Sequence, residues 1–484
     1  MGGGALLTAP ANAQQTEGAT EKDPYYAAGE TALAERLATQ ENNAQAKNLI
    51  LFIGDGMGVS TITAGRIYQG QAANVDGPSF VTASDALPYS AIVKTYSYDT
   101  QVPDSAATAT AIVTGVKTRI GVLGVSSAVE TGNCESGKGL ELPSLFDLAE
   151  QSGRATGIIS TARITHATPA STYAHAASRD WEVDGDLPEG STCEDIASQL
   201  IGWDSGDGFE VVMGGGRRNF LPQTMADPEY ADQNGRRKDG RNLVAEWQAN
   251  NPQGQVVYDM AGFKALDPGG SGPVLGLFEP SHMQYEADRL RVEGGVNEPS
   301  LAQMVTAAIA RLSQDPKGFV LMVEGGRIDH AHHGGNAARA LEDFKAFEEA
   351  IAAAVAATDS ADTLVLVTAD HSHVFTIAGY QPRNHPILGK VPSGPYTQTA
   401  DGKPYTTLGY ANGPGATSNE PRADISDVDT TALNYQQQAT VPTRGETHGG
   451  EDVVIKADGP RAHLFRGTIE QNVIFHLAKH ALGL

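Results

Sequence analysis

Lys47-Asn-Leu-Ile-Leu-Phe-Ile53 carries a continuous apolar run that ends in Gly54-Asp55-Gly56. The form returns twice. Gly318-Phe-Val-Leu-Met-Val323 ends in Glu324-Gly325-Gly326, and Thr363-Leu-Val-Leu-Val-Thr368 ends in Ala369-Asp370-His371. Runs of five or six aliphatic and β-branched residues read as strands buried on both faces, the habit of a parallel sheet. Helical spacing separates them: Met304, Ala307, Ala308 and Leu312 before the second run, then Leu341, Phe344, Phe347, Ile351 and Val355 before the third. Strands alternating with helices predict an α/β fold, a large, mostly parallel central sheet with helices on both faces. In such sheets a site lies outside the carboxyl ends of the strands. All three runs place an acid or a histidine there.

Away from these runs the pattern weakens. Residues 205–300 look irregular and loop-rich. Residues 380–445 are rich in Gly, Pro, Tyr and Thr, with turn signals such as Asn412-Gly-Pro-Gly415, and read as a surface insertion. Ala11-Asn12-Ala13 followed by Gln14-Gln15 resembles a signal-peptidase site, so residues 1–25 are expected to be a signal-peptide remnant or disordered, and 26–484 to form a single domain. The chain has 34 Lys and Arg against 58 Asp and Glu, a formal charge of −24, which would repel a nucleic-acid backbone. Most of these charges read as a solvated acidic surface. No stretch approaches the ~18 apolar residues of a membrane span. The two cysteines, Cys134 and Cys193, are either buried thiols or one disulfide in an oxidising compartment. Their Gly/Ser/Glu-rich settings favour the disulfide.

Asp329 and His333 stand four residues apart in Asp329-His330-Ala331-His332-His333. On a helix they would share one face, as two ligands of one metal must. Asp370-His371 follows the third strand directly, and His448 sits in Glu446-Thr-His-Gly-Gly450. One Asp-His pair usually caps a turn. Three such clusters point to a metal centre, and mixed Asp/His ligation suits zinc. His332 and His373 read as supports that do not ligate. His175, His282, His385, His463, His476 and His480 read as surface or packing residues. Asp104-Ser105-Ala106-Ala107-Thr108 follows Pro103 and starts a helical pattern that runs to Thr114. Ser105 would then lie where backbone N–H groups stabilise an anion.

Taken together these segments carry a family resemblance. Phe52-Ile-Gly-Asp-Gly-Met-Gly58, Pro103-Asp-Ser-Ala-Ala-Thr-Ala109, Thr165-His-Ala-Thr-Pro-Ala170, Val323-Glu-Gly-Gly-Arg-Ile-Asp-His330, Thr368-Ala-Asp-His-Ser-His373 and Glu446-Thr-His-Gly-Gly450 resemble, in order, the motifs of the alkaline phosphatases. The likeness runs from about residue 45 to the end. It implies hydrolysis of small-molecule phosphate monoesters through a phosphoserine at a site of two zinc ions and one magnesium ion. Ser105 would be the nucleophile. Asp329, His333 and His448 would hold one zinc, and Asp55, Asp370 and His371 the other. Asp55, Thr168 and Glu324 would hold magnesium, and Arg179 would grip the phosphate.

His166 and His330 stand where the best-known enteric enzyme carries Asp and Lys. In this the chain resembles the animal and marine-bacterial enzymes, and the two histidines are expected behind the ligands, weakening magnesium binding and speeding phosphate release. The likeness extends to the animal enzymes' calcium site, whose oxygens would come from Glu229, Glu279, Glu298 and the Phe278 carbonyl. Position 298 holds Glu where Asp is expected, and the same residues also read as surface carboxylates near a loop. Cys134 and Cys193 fall where the animal enzymes form a disulfide. The 380–445 insertion corresponds to the family's crown, which implies a homodimer, and the whole implies a secreted or periplasmic protein. Two other readings remain: a phosphodiesterase on the same scaffold, and a non-catalytic phosphate- or metal-binding protein.

Overall fold

The computed structural model describes residues 23–267, 269–270, 272–292, 296–417 and 421–484. The chain divides into an N-terminal unit that ends at Glu41 and a body, Asn42–Leu484. In the first, Asp23 caps the helix Pro24–Ala38 by accepting from the Tyr25 N–H at 2.8 Å, and none of the helix residues is buried. Residues 1–22 of the expected leader lie outside the described residues. Asp23, Pro24 and Tyr25 belong to a helix, not to a disordered tail.

The body is built on a ten-stranded sheet. Its strands are β1 (Asn48–Gly54), β2 (Tyr89–Lys94), β3 (Ala155–Arg163), β4 (Val211–Gly215), β5 (Gln255–Val257), β6 (Val274–Leu277), β7 (Phe319–Gly325), β8 (Thr363–Ala369), β14 (Val453–Asp458) and β15 (Gly467–Glu470). The spatial order is β15-β2-β14-β8-β1-β7-β3-β4-β6-β5. Every neighbouring pair is parallel except those that involve β14. The three apolar runs are β1, β7 and β8, and they lie side by side at the centre. Ile53 pairs with Glu324 on one side and Thr368 on the other.

These strands are buried on both faces because helices cover both. Phe52 is fully buried and meets Phe347 of the helix Ala337–Ala357 edge to face, with ring centroids 5.7 Å apart. Burying such a ring contributes roughly 2–3 kcal/mol. Of the residues expected on that helix's apolar stripe, Leu341, Phe344, Phe347 and Ile351 are buried, but Val355 is exposed and its neighbour Ala354 takes the buried position. The helix Leu301–Leu312 buries Met304, Ala308 and Leu312 as its spacing predicts, with Ala307 at the margin.

The stretch 205–300 is not irregular throughout: β4, β5 and β6 extend the main sheet. The insertion carries its own sheet. Between the main strands run β9 (Ser372–His373), β10 (Phe375–Ile377), β11 (Leu408–Gly413), β12 (Ala439–Pro442) and β13 (His448–Gly449). β11 pairs antiparallel with β10 and parallel with β12, while β13 pairs with β9. Cys134 and Cys193 form a disulfide, with Cα atoms 5.7 Å apart. Among the described residues no helix is long and apolar enough to cross a membrane.

Candidate active site

Four adjacent strands, β8, β1, β7 and β3, deliver the site at their carboxyl ends; the apolar runs predict this for β1, β7 and β8, and β3 joins them. β1 ends in Asp55. The turn after it needs Gly56 in the left-handed region, at φ +68, and a Cβ there would lie 2.3 Å from His373 Nε2. The Gly56 N–H donates to Asp370 Oδ1 at 3.0 Å, which joins the ends of β1 and β8. β7 supplies Glu324 and runs into the helix Arg327–His333. Asp329 and His333 do share one face there, with His333 Nε2 3.3 Å from Asp329 Oδ1. After β3 comes His166, at the start of the short helix Ala167–Ala170 that carries Thr168.

The imidazoles are aimed by backbone carbonyls. His333 Nδ1 lies 2.5 Å from the Glu446 carbonyl and His448 Nδ1 lies 2.8 Å from the Pro103 carbonyl, so each turns its Nε2 toward Asp329. His448 Nε2 is 3.4 Å from Asp329 Oδ1 and 3.1 Å from His333 Nε2. In the second group His371 Nε2 lies 3.4 Å from Asp55 Oδ1 and 3.3 Å from Asp370 Oδ2. A third group joins Asp55, His166 and Glu324. Asp55 is thus common to two groups.

These clusters fit metal ions. Asp55, Glu324 and Asp370 are completely buried. Both Asp55 oxygens, Glu324 Oε1, Asp370 Oδ2 and Thr168 Oγ1 have no hydrogen-bond partner. Burial, with Asp329 and Asp370 close by, holds the Asp55 carboxyl well above the usual carboxylate range. Burial likewise pushes Glu324 up to about 7, against the Ser160 hydroxyl that donates to it and lowers it. His371 is driven well below the ordinary imidazole range by burial and by His448. Unpartnered buried carboxylates beside neutral imidazoles are costly unless a cation meets them.

Ser105 begins the helix Ser105–Thr114, as expected. Asp104 caps that helix by accepting from the Ala107 N–H at 3.2 Å. Ser105 Oγ lies 3.2 Å from His371 Nε2, which sets the hydroxyl against the Asp55–Asp370–His371 group. Arg179 is held in a fork. Its Nη1 donates to Asp104 Oδ2 at 3.0 Å and its Nη2 donates to His166 Nε2 at 3.1 Å. The Arg179 guanidinium and the helix that carries the serine therefore share Asp104.

His332 is buried between Thr61 and Tyr410, and His373 between Asp329 and Glu446. The sequence passes over Glu446 as a side chain, although its carboxylate holds His373. His282, read from the sequence as a surface or packing residue, packs on His330 with ring centroids 4.0 Å apart. His330 is itself 5.4 Å from His166.

The calcium candidates are only partly brought together. Glu229 Oε2 lies 2.6 Å from Arg217 Nη1. Glu279 Oε1 accepts from Tyr230 Oη at 2.9 Å, and Glu298 Oε1 from the Gln284 N–H at 3.0 Å. Phe278 is buried and its N–H donates to the Gly214 carbonyl. Burial and the neighbouring Glu279 push Glu298 up to about 9, and its Oε2 has no hydrogen-bond partner. Among the described residues these carboxylates do not form one group of converging ligand atoms, and Arg217 already supplies a cation to Glu229.

A serine at a helix start stands against metal-capable clusters on the carboxyl edge of a mostly parallel sheet, which defines an α/β protein with a metal-capable centre. The alkaline phosphatase family model matches residues 46–484. The tissue-nonspecific alkaline phosphatase of Gallus gallus is 46% identical over 475 residues, 95% of this chain and 90% of that one, and the Homo sapiens isozyme is 44% identical over 95% and 89%. The solved alkaline phosphatase of Thermus thermophilus superposes with a TM-score of 0.66 at 26% identity, covering 92% of this chain and 93% of that one. The enzyme from the Antarctic bacterium TAB5, at 24% identity and a TM-score of 0.62, shares the fold. The chain belongs to the alkaline phosphatase family.

Proposed function

We propose that the protein hydrolyses phosphate monoesters through a phosphoserine formed on Ser105. The observation that carries this reading is the set of unpartnered carboxylate oxygens on Asp55, Asp370 and Glu324, buried beside a serine whose Oγ is 3.2 Å from His371 Nε2. Asp329, His333 and His448 would hold one zinc ion, Asp55, Asp370 and His371 the second, and Asp55, Thr168 and Glu324 magnesium. When bound, the metals supply positive charge at the entering and leaving oxygens.

The chain's own residues do the rest. Ser105 Oγ gives up its proton and attacks phosphorus, the ester P–O bond breaks, and the alcohol leaves with a proton. Water then attacks the phosphoserine, releasing phosphate and restoring the serine hydroxyl. The N-terminus of the helix Ser105–Thr114 directs backbone N–H groups toward the phosphoryl oxygens. Arg179, fixed by Asp104 and His166, presents its planar guanidinium for paired hydrogen bonds to them. His371, its Nε2 3.2 Å from Oγ, orients the serine hydroxyl, and Asp370 Oδ2 lies 3.3 Å from that same nitrogen. The low pKa that burial imposes on His166 keeps that ring an acceptor for Arg179.

The insertion around β11 is the proposed dimer face, with Tyr380 and Tyr396 more than 80% exposed. The disulfide supports a secreted or periplasmic location. Calcium at Glu229, Phe278, Glu279 and Glu298 would have to compete with Arg217 for Glu229. The test of the main reading is hydrolysis of a phosphomonoester and a phosphodiester at alkaline pH, with chelator and with zinc added back. Zinc-restored cleavage of the monoester with little diester turnover is expected. Diester preference would make it a phosphodiesterase on this scaffold, and inactivity with zinc present would leave a binding protein.

A further inference from the structure

We infer that His282 is a positioning residue for the phosphate-gripping Arg179, a role that rests on the reading of Arg179 given above. The segment carrying His282 is clamped on both sides by backbone. The Gly216 N–H donates to the Ser281 carbonyl at 2.6 Å, and the Met283 N–H to the Thr161 carbonyl at 3.0 Å. A Cβ on Gly215 would lie 2.1 Å from the Ser281 carbonyl oxygen, so the segment and β4 touch backbone to backbone. Held this way, His282 has one place to put its ring, between His330 and Arg163.

Contacts run from that ring to the nucleophile's helix. The ring centroids of His282 and His330 are 4.0 Å apart, and those of His330 and His166 are 5.4 Å apart. His282 also meets His166 edge to face at 5.5 Å. His166 Nε2 accepts from Arg179 Nη2 at 3.1 Å, and Arg179 Nη1 donates to Asp104 Oδ2 at 3.0 Å. Asp104 caps the helix that begins at Ser105. The far end is anchored as well. The Arg163 guanidinium donates to His282 Nε2 and pairs with Glu182 through Nε at 2.7 Å. Arg163 approaches the ring from both sides, its guanidinium at Nε2 and its backbone N–H 3.3 Å from Nδ1, and since neither group can accept a hydrogen bond the setting disfavours a protonated, charged ring. Burial and the adjacent His330 depress its pKa in the same direction.

Without that ring, His330 and then His166 gain room to turn. Arg179 then loses the acceptor that fixes one arm of its fork. Misplacing a substrate-positioning group costs binding and orientation even when the group itself is present.

The test uses the zinc- and magnesium-loaded enzyme. Wild type, His282→Ala, His282→Phe, Arg179→Ala and the His282→Ala/Arg179→Ala pair are assayed for KM, kcat and inhibition by inorganic phosphate, with Tm as the measure of folding. His282→Ala should raise KM and the phosphate inhibition constant about tenfold, with kcat changed less. His282→Phe, which keeps a ring against His330, should recover most of that. In the Arg179→Ala background His282→Ala should change either constant less than twofold, because its route to the phosphate is already cut. Unchanged KM and phosphate inhibition in His282→Ala, full additivity in the pair, or His282→Phe as weak as His282→Ala would each overturn the inference and leave the reading of Arg179 intact. Arg179→Ala with undiminished phosphate affinity would overturn both. A His282→Ala chain too unstable to assay leaves the decision to His282→Phe, whose near-normal constants are required.

Discussion

His373 Nε2 lies 2.8 Å from Asp329 Oδ1, and Glu446 Oε2 holds the same ring from its other nitrogen at 2.5 Å. Burial pushes this imidazole down, but the hydrogen bonds to Asp329 and Glu446 outweigh it and carry the pKa up to about 9. The ring therefore donates on both sides at neutral pH. It orients Asp329 without needing to touch a metal itself. His373→Ala should weaken zinc binding by about 10- to 100-fold, read by competition with a chelator, while zinc in excess restores turnover. Unchanged zinc affinity would reduce His373 to a packing residue.

Ser105→Ala removes the oxygen proposed to attack and leaves its surroundings in place. Turnover should fall at least about 10³-fold, with KM moved far less. The intact mass of wild-type protein quenched in acid with substrate should show one added phosphoryl group, absent from the variant. A variant that retains most of its turnover would show that water attacks the substrate directly.

Stripping the metals exposes the electrostatic cost built into the site. Asp55, Asp370 and Glu324 lie buried with unpartnered oxygens, so folding and metal binding should be linked. Chelation should lower Tm by several degrees, and zinc plus magnesium should restore it. Asp55→Asn, which lowers the negative charge shared by two groups, should make the chelated protein less unstable relative to its loaded form. The same Tm with and without chelator would mean that the carboxylates are satisfied by protons alone.

Glu150 gives a pH dependence remote from the catalytic groups. Burial pushes its carboxyl up to about 8 despite the Thr156 hydroxyl that donates to it at 2.6 Å, and Glu210 and Asp207 add to the rise. The folded state thus holds a proton that the unfolded chain has already released. This contribution is fully present below the ordinary Glu pKa of about 4.3 and is lost as pH rises through about 8. Glu150→Gln should shrink the fall in Tm between pH 5 and pH 9 relative to wild type. Part of the fall should persist, because burial carries Glu210 up to about 7 as well. An identical pH profile would place Glu150 in contact with solvent.

The centre of the sheet was legible because β1, β7 and β8 are covered on both faces and leave unbroken apolar runs in the sequence. β4 and β6 are as buried, but Val211–Gly215 and Val274–Leu277 are four or five residues long and include glycines, so no run emerges from the loops around them. Asp329 and His333 could be paired because one helix carries both. Ser105 could be placed because Pro103 and Asp104 mark a helix start. Arg179 came only from resemblance, since Ala177-Ser-Arg-Asp-Trp181 has no periodicity that aims it anywhere. The contacts of His282 and Glu446 had no periodic signal around them. Their partners, His330 and His373, are 48 and 73 residues away along the chain, and only the folded sheet makes them neighbours. For Glu446, a glutamate two residues before an expected ligand was the one available cue.

The site spans Asp55 to His448, and β8, β1, β7 and β3 must all be in register before those residues meet. A ribosome that has released four-fifths of the chain has made most of the sheet and still lacks His448. The proposed Asp55–Asp370–His371 and Asp55–Thr168–Glu324 sets are complete once β8 and the two residues after it are made, whereas the proposed Asp329–His333–His448 set also waits for β13. Under that assignment, occupancy of the His448 set alone would tell a chain that has passed β13 from one that stopped after β8.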